Sequence, residues 1–397
     1  MRLTIYIPGS RSAWIRGYWR RMILGETGRQ RLANQSIAVS ECRRPEEVVA
    51  VLGAMQAQDF TGALWSVGLR MPEATEANVE QAIADRKIVR TWLMRGTLHF
   101  VAAPDVRWML DLLAPRTLAR SVGRAAGLEL DVRTFARCEK LFVRELAGNR
   151  QLTREALMEL LERHKISTAN QRGYHILWRL AQERLICFGR RVGKQHTFVL
   201  LDEWVPAARK PDRDAALAEM ARRYFTSHGP ATVQDFIGWT GLNAADARAG
   251  LDRAAARLAR VTLGGTDYWM PRDPVKLPRT APAGFLLPGF DEFLLGYKDR
   301  NAVLDPRHAQ KVVPGDNGMF SPTVVLDGRV AGTWRRTLKK GAVTITVNPF
   351  KRLKKIEMRA ITLAADRYLR FLGLPAPAAS VEFAQLAPAR TPAVFMP

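Results

Sequence analysis

Three times along this chain, two or three helical segments lead into a short pair of strands around a turn. In the first occurrence Pro45–Ala57 and Glu76–Arg86 carry helical patterns, and strands at Ile88–Met94 and Thr97–Val101 reverse at Arg95-Gly96. In the second, Thr153 stands at an N-cap position before Leu157, Leu160 and Leu161, and a helix over Tyr174–Glu183 follows. Strands at Leu185–Phe188 and Thr197–Leu201 then flank Gly189-Arg190-Arg191-Val192-Gly193-Lys194. In the third, Leu217, Met220, Ala221 and Tyr224 mark one helix, Thr232 caps a second, and a third follows Asn243. A hairpin at Val261–Leu263 and Tyr268–Met270 turns across Gly264-Gly265-Thr266-Asp267. Helices followed by a two-stranded wing give the winged-helix order, a variant of helix-turn-helix.

From about Pro271 the pattern changes. Pro271, Pro274, Pro278 and Pro282 punctuate a linker. Strand-like pieces follow at Phe285–Leu287, Phe293–Tyr297, Thr323–Leu326, Val330–Trp334 and Ala342–Val347, with a hairpin turn at Asp327-Gly328. A helix over Lys355–Phe371 and a Pro/Ala-rich tail end the chain. The expected fold class is α+β: three tandem winged-helix domains, then a small C-terminal β-rich domain, sheet or barrel, closed by a helix. The boundaries read as an N-terminal extension over 1–29, winged-helix domains over 30–150 with linker helices, 151–210 and 211–272, and the β-rich domain with helix and tail over 273–397. The Arg-rich, acid-poor residues 1–21 read as a loosely ordered extension, with a transit peptide as the alternative.

Charge narrows the partner class. Among 397 residues, 61 Lys+Arg against 38 Asp+Glu give a net charge of +23. Nucleic acid, an anionic membrane or an acidic protein would each answer to it, and nucleic acid fits the winged-helix order best. No apolar run approaches the roughly 18–20 residues of a membrane span, so no membrane partner is expected. Cys42, Cys138 and Cys187 are far apart and show no metal-ligand spacing. Neither a metal nor a cofactor is expected, and no Walker loop, GxGxxG or HExxH motif occurs.

The sharpest local feature is Met55-Gln56-Ala57-Gln58-Asp59-Phe60. On a continuing helix Gln56 and Gln58 would point about 200° apart. On an extended segment they share a face. They either cap backbone groups at a helix end or converge on one substrate. Glutamine has no useful acid–base pKa, so convergence suits a substrate that carries its own activation. A guanine alkylated at N7 is one: the cationic base leaves readily, and a positioned water with fixed dipoles suffices. Asp59 is then an auxiliary electrostatic group, or a helix cap.

Met-Gln-Ala-Gln-Asp at 55–59, Arg-Gly-Thr-Leu-His at 95–99, the run Leu287 to Arg300 and Gly-Arg-Val-Ala-Gly-Thr-Trp-Arg at 328–335 resemble the AlkZ/YcaQ family of bacterial DNA glycosylases. The resemblance spans about residues 30–375. It implies tandem winged helices and a β-rich domain around a basic DNA channel, and excision of N7-alkylpurines, with interstrand crosslinks unhooked by some members. Gln56-Ala57-Gln58 resembles the Gln-x-Gln signature of the AlkZ-like branch, which implies catalytic roles for Gln56 and Gln58. The partner implied is duplex DNA with alkylated or crosslinked bases, bound by a monomer in the bacterial cytoplasm at the nucleoid.

Further contacts follow from charge placement. Arg190, Arg191, Lys194 and His196 form a basic wing tip suited to phosphates. From Arg335 to Arg359 nine Lys/Arg stand against one acid, Glu357; Arg335, Arg336, Lys339, Lys340, Lys351, Arg352, Lys354 and Lys355 are candidate DNA contacts, as is Arg95. His99 is either an auxiliary site residue or a structural histidine. Asp291, Glu292, Asp299 and Arg300 read as structural ion pairs rather than an acid–base pair. The rival functional readings are a non-catalytic winged-helix regulator and an RNA-binding protein.

Overall fold

The helix starts follow their cap residues. The Thr153 hydroxyl accepts from the Ala156 N–H ahead of Arg154–Arg163, Thr232 from Asp235 ahead of Val233–Thr240, and Asn243 from Asp246 ahead of Ala244–Ala254. The computed structural model describes residues 3–6, 26–205, 210–275, 283–339, 342–374 and 379–385. The long linker helices are Val106–Gly127 and Val132–Leu146, and the last helix among the described residues is Lys355–Phe371.

The first two hairpins are one sheet rather than two wings apart. Its six strands run in the order Met55–Gln56, Leu98–Ala102, Ile88–Trp92, Ile186–Phe188, Thr197–Leu200, Leu152–Thr153. Arg90 opposite Phe188 joins the two hairpins. A second sheet pairs Leu258–Leu263 with Thr266–Pro271 and, on the other side, with Leu3–Tyr6. Residues 3–6 of the extension thus form an edge strand instead of loose chain, because the third hairpin leaves a row of backbone groups unpaired.

The C-terminal sheet has five strands: Gly284–Leu287, Thr323–Leu326, Arg329–Lys339, Ala342–Pro349 and Ala379–Phe383. The last pairs parallel to Ala342–Pro349, and no pairing among the described residues joins the two outer strands, so this is an open sheet. The Lys355–Phe371 helix lies across its first strand. A Cβ at Gly284 would come 2.8 Å from the Ala360 backbone, so only glycine permits that approach.

Three further sequence expectations are corrected, and two helices went unread. The helix begun at Pro45 ends at Leu52, not Ala57, because Gly53 takes φ 85° and turns the chain into a strand. Phe293–Tyr297 is not a strand; Glu292–Leu295 is a helical turn capped by Asp291. A helix over Phe60–Gly68 and another over Thr27–Asn34 carried no readable period, being buried on nearly all sides. Ala379–Phe383, read as tail, is a strand.

The buried apolar residues gather in three clusters that do not follow the chain segments one to one. The largest unites residues 32–102 with 285–371. Trp65 exemplifies the junction: its indole N–H donates to the Leu286 carbonyl at 2.7 Å, and its rings lie 4.9 Å from Tyr368 and 5.1 Å from Phe371. Burying such an aromatic side chain contributes about 1.5–3 kcal/mol. Beneath it Arg70, fully buried, makes a bidentate pair with Asp291 at 2.8 and 3.0 Å and donates to the Gln35 carbonyl. The C-terminal sheet is therefore fixed against the segment that carries the glutamines. No helix among the described residues is long and apolar enough to cross a membrane.

Candidate active site

After Gly53 the chain enters the edge strand Met55–Gln56, with Met55 opposite Phe100 and Gln56 opposite His99. The pairing continues past Gln56, since the Ala57 N–H donates to the Leu98 carbonyl at 2.8 Å. The backbone is therefore extended through Ala57 rather than helical, and it bends at Gln58 before the helix Phe60–Gly68. Met55 and Ala57 are buried; Gln56 is 8% exposed and Gln58 is exposed. The Gln58 Oε1 accepts from the Leu98 N–H at 3.4 Å, while the Gln56 Oε1 is buried without a protein partner. Asp59 occupies the N-cap position of Phe60–Gly68 but makes no capping bond; its exposed carboxylate accepts from the Thr61 hydroxyl at 3.1 Å.

Two remote groups hold this short segment. The Gln56 N–H donates to Glu292 Oε1 at 2.9 Å. The other Glu292 oxygen accepts from the Trp239 indole at 2.8 Å and lies 3.5 Å from His228 Nε2. From the opposite side Arg90 donates twice to the Ala57 carbonyl, at 3.2 and 2.9 Å. Burial pushes the Glu292 carboxyl up, but His228 and the Gln56 N–H outweigh it and hold the group below the usual carboxylate range. Burial, aided by Arg191 and opposed by Asp59, draws Arg90 down to about 10. Glu292, Trp239 and Arg90 were not singled out by sequence reasoning as site residues. Only Glu292 carried any signal, an acid in an apolar run, and its partner is 236 positions away.

His99 is fully buried. Its Nδ1 lies 2.8 Å from the Thr97 carbonyl, and its Nε2 has no protein partner. Burial, aided by Arg95 and opposed by Glu292, pulls its pKa down to about 4. Arg95 sits at the hairpin reversal with φ 55°, and its guanidinium donates to the Gly238 carbonyl at 3.2 Å.

The basic residues of the second wing divide. Arg190 and Lys194 are exposed at its tip. Arg191 pairs with Glu80 at 2.7 Å and lies 5.0 Å over the Phe60 ring. His196 packs inward, 4.8 Å from Phe60 and 5.7 Å from Phe188, with Nε2 3.1 Å from Arg90. Burial first, then Arg90 and Arg191, draw its pKa to about 4. The compact four-residue tip is thus two exposed cations and two groups committed to neighbours. Arg190, Arg191 and His196, with Phe60, Glu80 and Arg90, line a cavity of about 510 Å³. In the C-terminal sheet Arg335 is exposed, and Arg336 binds the Tyr368 hydroxyl. Lys351 pairs with Glu357 at 3.4 Å; Arg352, Lys354 and Lys355 are exposed. Lys340 and the Lys339 side chain lie outside the described residues. The buried acids match the ion-pair reading for Asp291, with Arg70, while Glu292 lies 3.5 Å from His228 and also accepts from the glutamine strand.

A family model described as "DNA glycosylase AlkZ-like" matches residues 49–371. The chain belongs to this family. A relative from Streptomyces sahachiroi, named as an interstrand DNA cross-link repair glycosylase, is 29% identical over 347 residues, covering 83% of this chain and 91% of its own. The solved structure of Streptomyces sahachiroi DNA glycosylase AlkZ is similar with a TM-score of 0.75 at 25% identity, over 90% of this chain and 98% of that one. As an AlkZ-like DNA glycosylase the protein is a hydrolase of the N-glycosidic bond. The Gln56–Gln58 segment carries two amide side chains, with the buried Glu292 carboxylate bound to the Gln56 N–H and the buried His99 on the neighbouring strand. Amides cannot protonate a leaving base; they can orient water and supply dipoles.

Proposed function

We propose that this glycosylase is monofunctional and releases cationic N7-alkylpurines, including purines tethered across strands in interstrand crosslinks, the lesion class in the name of the Streptomyces relative. Gln56 and Gln58 orient the water that attacks C1′ as the C1′–N9 bond breaks, and the proton that the water loses as the C1′–O bond forms passes to solvent. The departing electron pair neutralises the base, so no general acid is needed. The observation that supports this reading is the Gln56 amide, held at the strand edge two residues before the exposed Gln58, with its oxygen bonded to no protein donor.

Three winged-helix domains, over 30–150, 151–210 and 211–272, and the β-rich domain over 273–397 would form the DNA-holding frame. Arg95, Arg190, Lys194, Arg335 and the lysines and arginines from 351 to 355 would neutralise phosphates. A bulky crosslinked base does not fit a closed pocket, so full extrusion of the nucleotide is not required. The protein acts as a monomer without a cofactor.

The test is base release from duplexes holding 7-methylguanine, an N7 interstrand crosslink, or no lesion. The expected products are free alkylated base and an abasic site with the strand intact. Release from the undamaged duplex at the same rate, or strand cleavage through a covalent imine, would contradict it.

A further inference from the structure

Thr91, His99 and Gln56 stand opposite one another across three adjacent strands. Directly opposed residues project to the same face, with Cβ atoms about 4.5–5.5 Å apart. All three side chains are buried, and each keeps one buried polar atom without a protein partner: Thr91 Oγ1, His99 Nε2 and Gln56 Oε1. Such an atom costs about 1–3 kcal/mol, and three in one row are poorly explained by stability alone.

The Thr97 carbonyl can only accept, so His99 Nδ1 carries the proton and, in the neutral ring, Nε2 carries the lone pair. The ring is thereby fixed with an acceptor on the face that Gln56 occupies. An amide free about its last torsion offers water either its oxygen or its NH2, and only the oxygen accepts a hydrogen from the nucleophile.

We propose that His99 is a positioning residue of the glycosylase centre: a half-turn of the Gln56 amide, which exchanges its buried oxygen for the NH2 group, lets the His99 Nε2 lone pair accept from that NH2 and leaves the Gln56 oxygen facing the attacking water. This rests on the reading of Gln56 as a water-orienting group. His99 takes no proton in the reaction; it acts through the orientation of Gln56. Thr91, on the far side of His99 in the row, does not touch Gln56.

The test is single-turnover release of 7-methylguanine from duplex DNA by the full chain, with DNA affinity and thermal stability measured alongside. The variants are His99→Gln, His99→Asn, His99→Leu, Gln56→Ala and the His99→Leu/Gln56→Ala pair. A glutamine amide reaches the place of Nε2, whereas an asparagine amide reaches only that of Nδ1 and keeps the Thr97 contact. His99→Asn and His99→Leu are expected to lose roughly 10- to 100-fold in rate, the scale of a misplaced reacting group, with DNA affinity unchanged. His99→Gln is expected to recover most of that loss, and His99→Leu to add nothing to Gln56→Ala. Equal rates for His99→Asn and His99→Gln, or a further multiplicative loss in the double variant, would overturn the proposal. If His99→Leu does not fold, the asparagine–glutamine comparison decides. A slow Gln56→Ala beside a fully active His99→Asn removes His99 alone, whereas a fully active Gln56→Ala removes the glutamine reading and His99 with it.

Discussion

Keeping His99 neutral makes the stability of this protein depend on pH in a window that few other groups share. Burial holds its pKa to about 4 against an ordinary value of 6.5. The folded value is the lower one, so below pH 6.5 the unfolded chain takes up a proton that the folded chain refuses until about pH 4. The contribution is therefore fully present above pH 6.5 and is lost as pH falls from 6.5 toward 4. With these two values, linkage amounts to a loss of about 2 kcal/mol between pH 7 and pH 5, out of a total near 3 kcal/mol. Asp291 and Glu292 are held low, so their contributions are lost only as pH falls through the carboxylate range. His196 is also drawn down but is only half-buried, so its smaller share is screened, and it is common to wild type and variant. The assay is urea unfolding of the wild type and His99→Gln at pH 5, 6, 7 and 8 and constant ionic strength, followed by tryptophan fluorescence. The stability of the wild type relative to the variant should fall by about 2 kcal/mol from pH 7 to pH 5. A relative stability that stays constant over that window, or rises toward pH 5, would refute a buried neutral His99.

Three other perturbations have expected outcomes. Glu292→Gln leaves one oxygen for two donors, the Gln56 N–H and the Trp239 indole; single-turnover base release should fall about 100-fold with DNA affinity retained, and an unchanged rate would show that the carboxylate does not hold the strand. Arg70→Met strands the buried Asp291 carboxylate, which should cost about 3–5 kcal/mol in urea unfolding; a loss below 1 kcal/mol would mean that the pair is not buried as described. Arg190→Ala with Lys194→Ala should weaken DNA binding and lower the slope of log K against log salt by about 2, with the rate at saturating protein unchanged; an unchanged slope would remove the wing tip from the DNA contacts.

How much of this was legible beforehand follows the range of the interactions. Local signals served well: Thr153, Thr232 and Asn243 cap the helices they precede, and Lys355–Phe371 runs over the residues its period marks. Phe60–Gly68 escaped because its residues are buried on nearly every side, so no polar face breaks the apolar run. Phe293–Leu295 looked like a strand because a short apolar run has no period to distinguish it from a helical turn. In the site, Gln56 and Gln58 were visible as a motif, but not what holds them. Glu292 and Arg90 reach the segment from 236 and 33 positions away, and the strand edge they hold exists only once Leu98–Ala102 has paired with it. His196 shows the converse: its charge type and spacing suggested an exposed tip, whereas Phe60 and Phe188 draw it inward.

The central claim is that two uncharged amides carry the chemistry while the basic surface holds DNA. It is tested most directly by single-turnover release of 7-methylguanine from duplex DNA by Gln56→Ala/Gln58→Ala, at protein concentrations that saturate binding. The expected result is DNA affinity within about twofold of wild type and a rate at least about 100-fold lower, the scale of losing preorganised dipoles. Wild-type release by the double variant, with DNA bound normally, would contradict it.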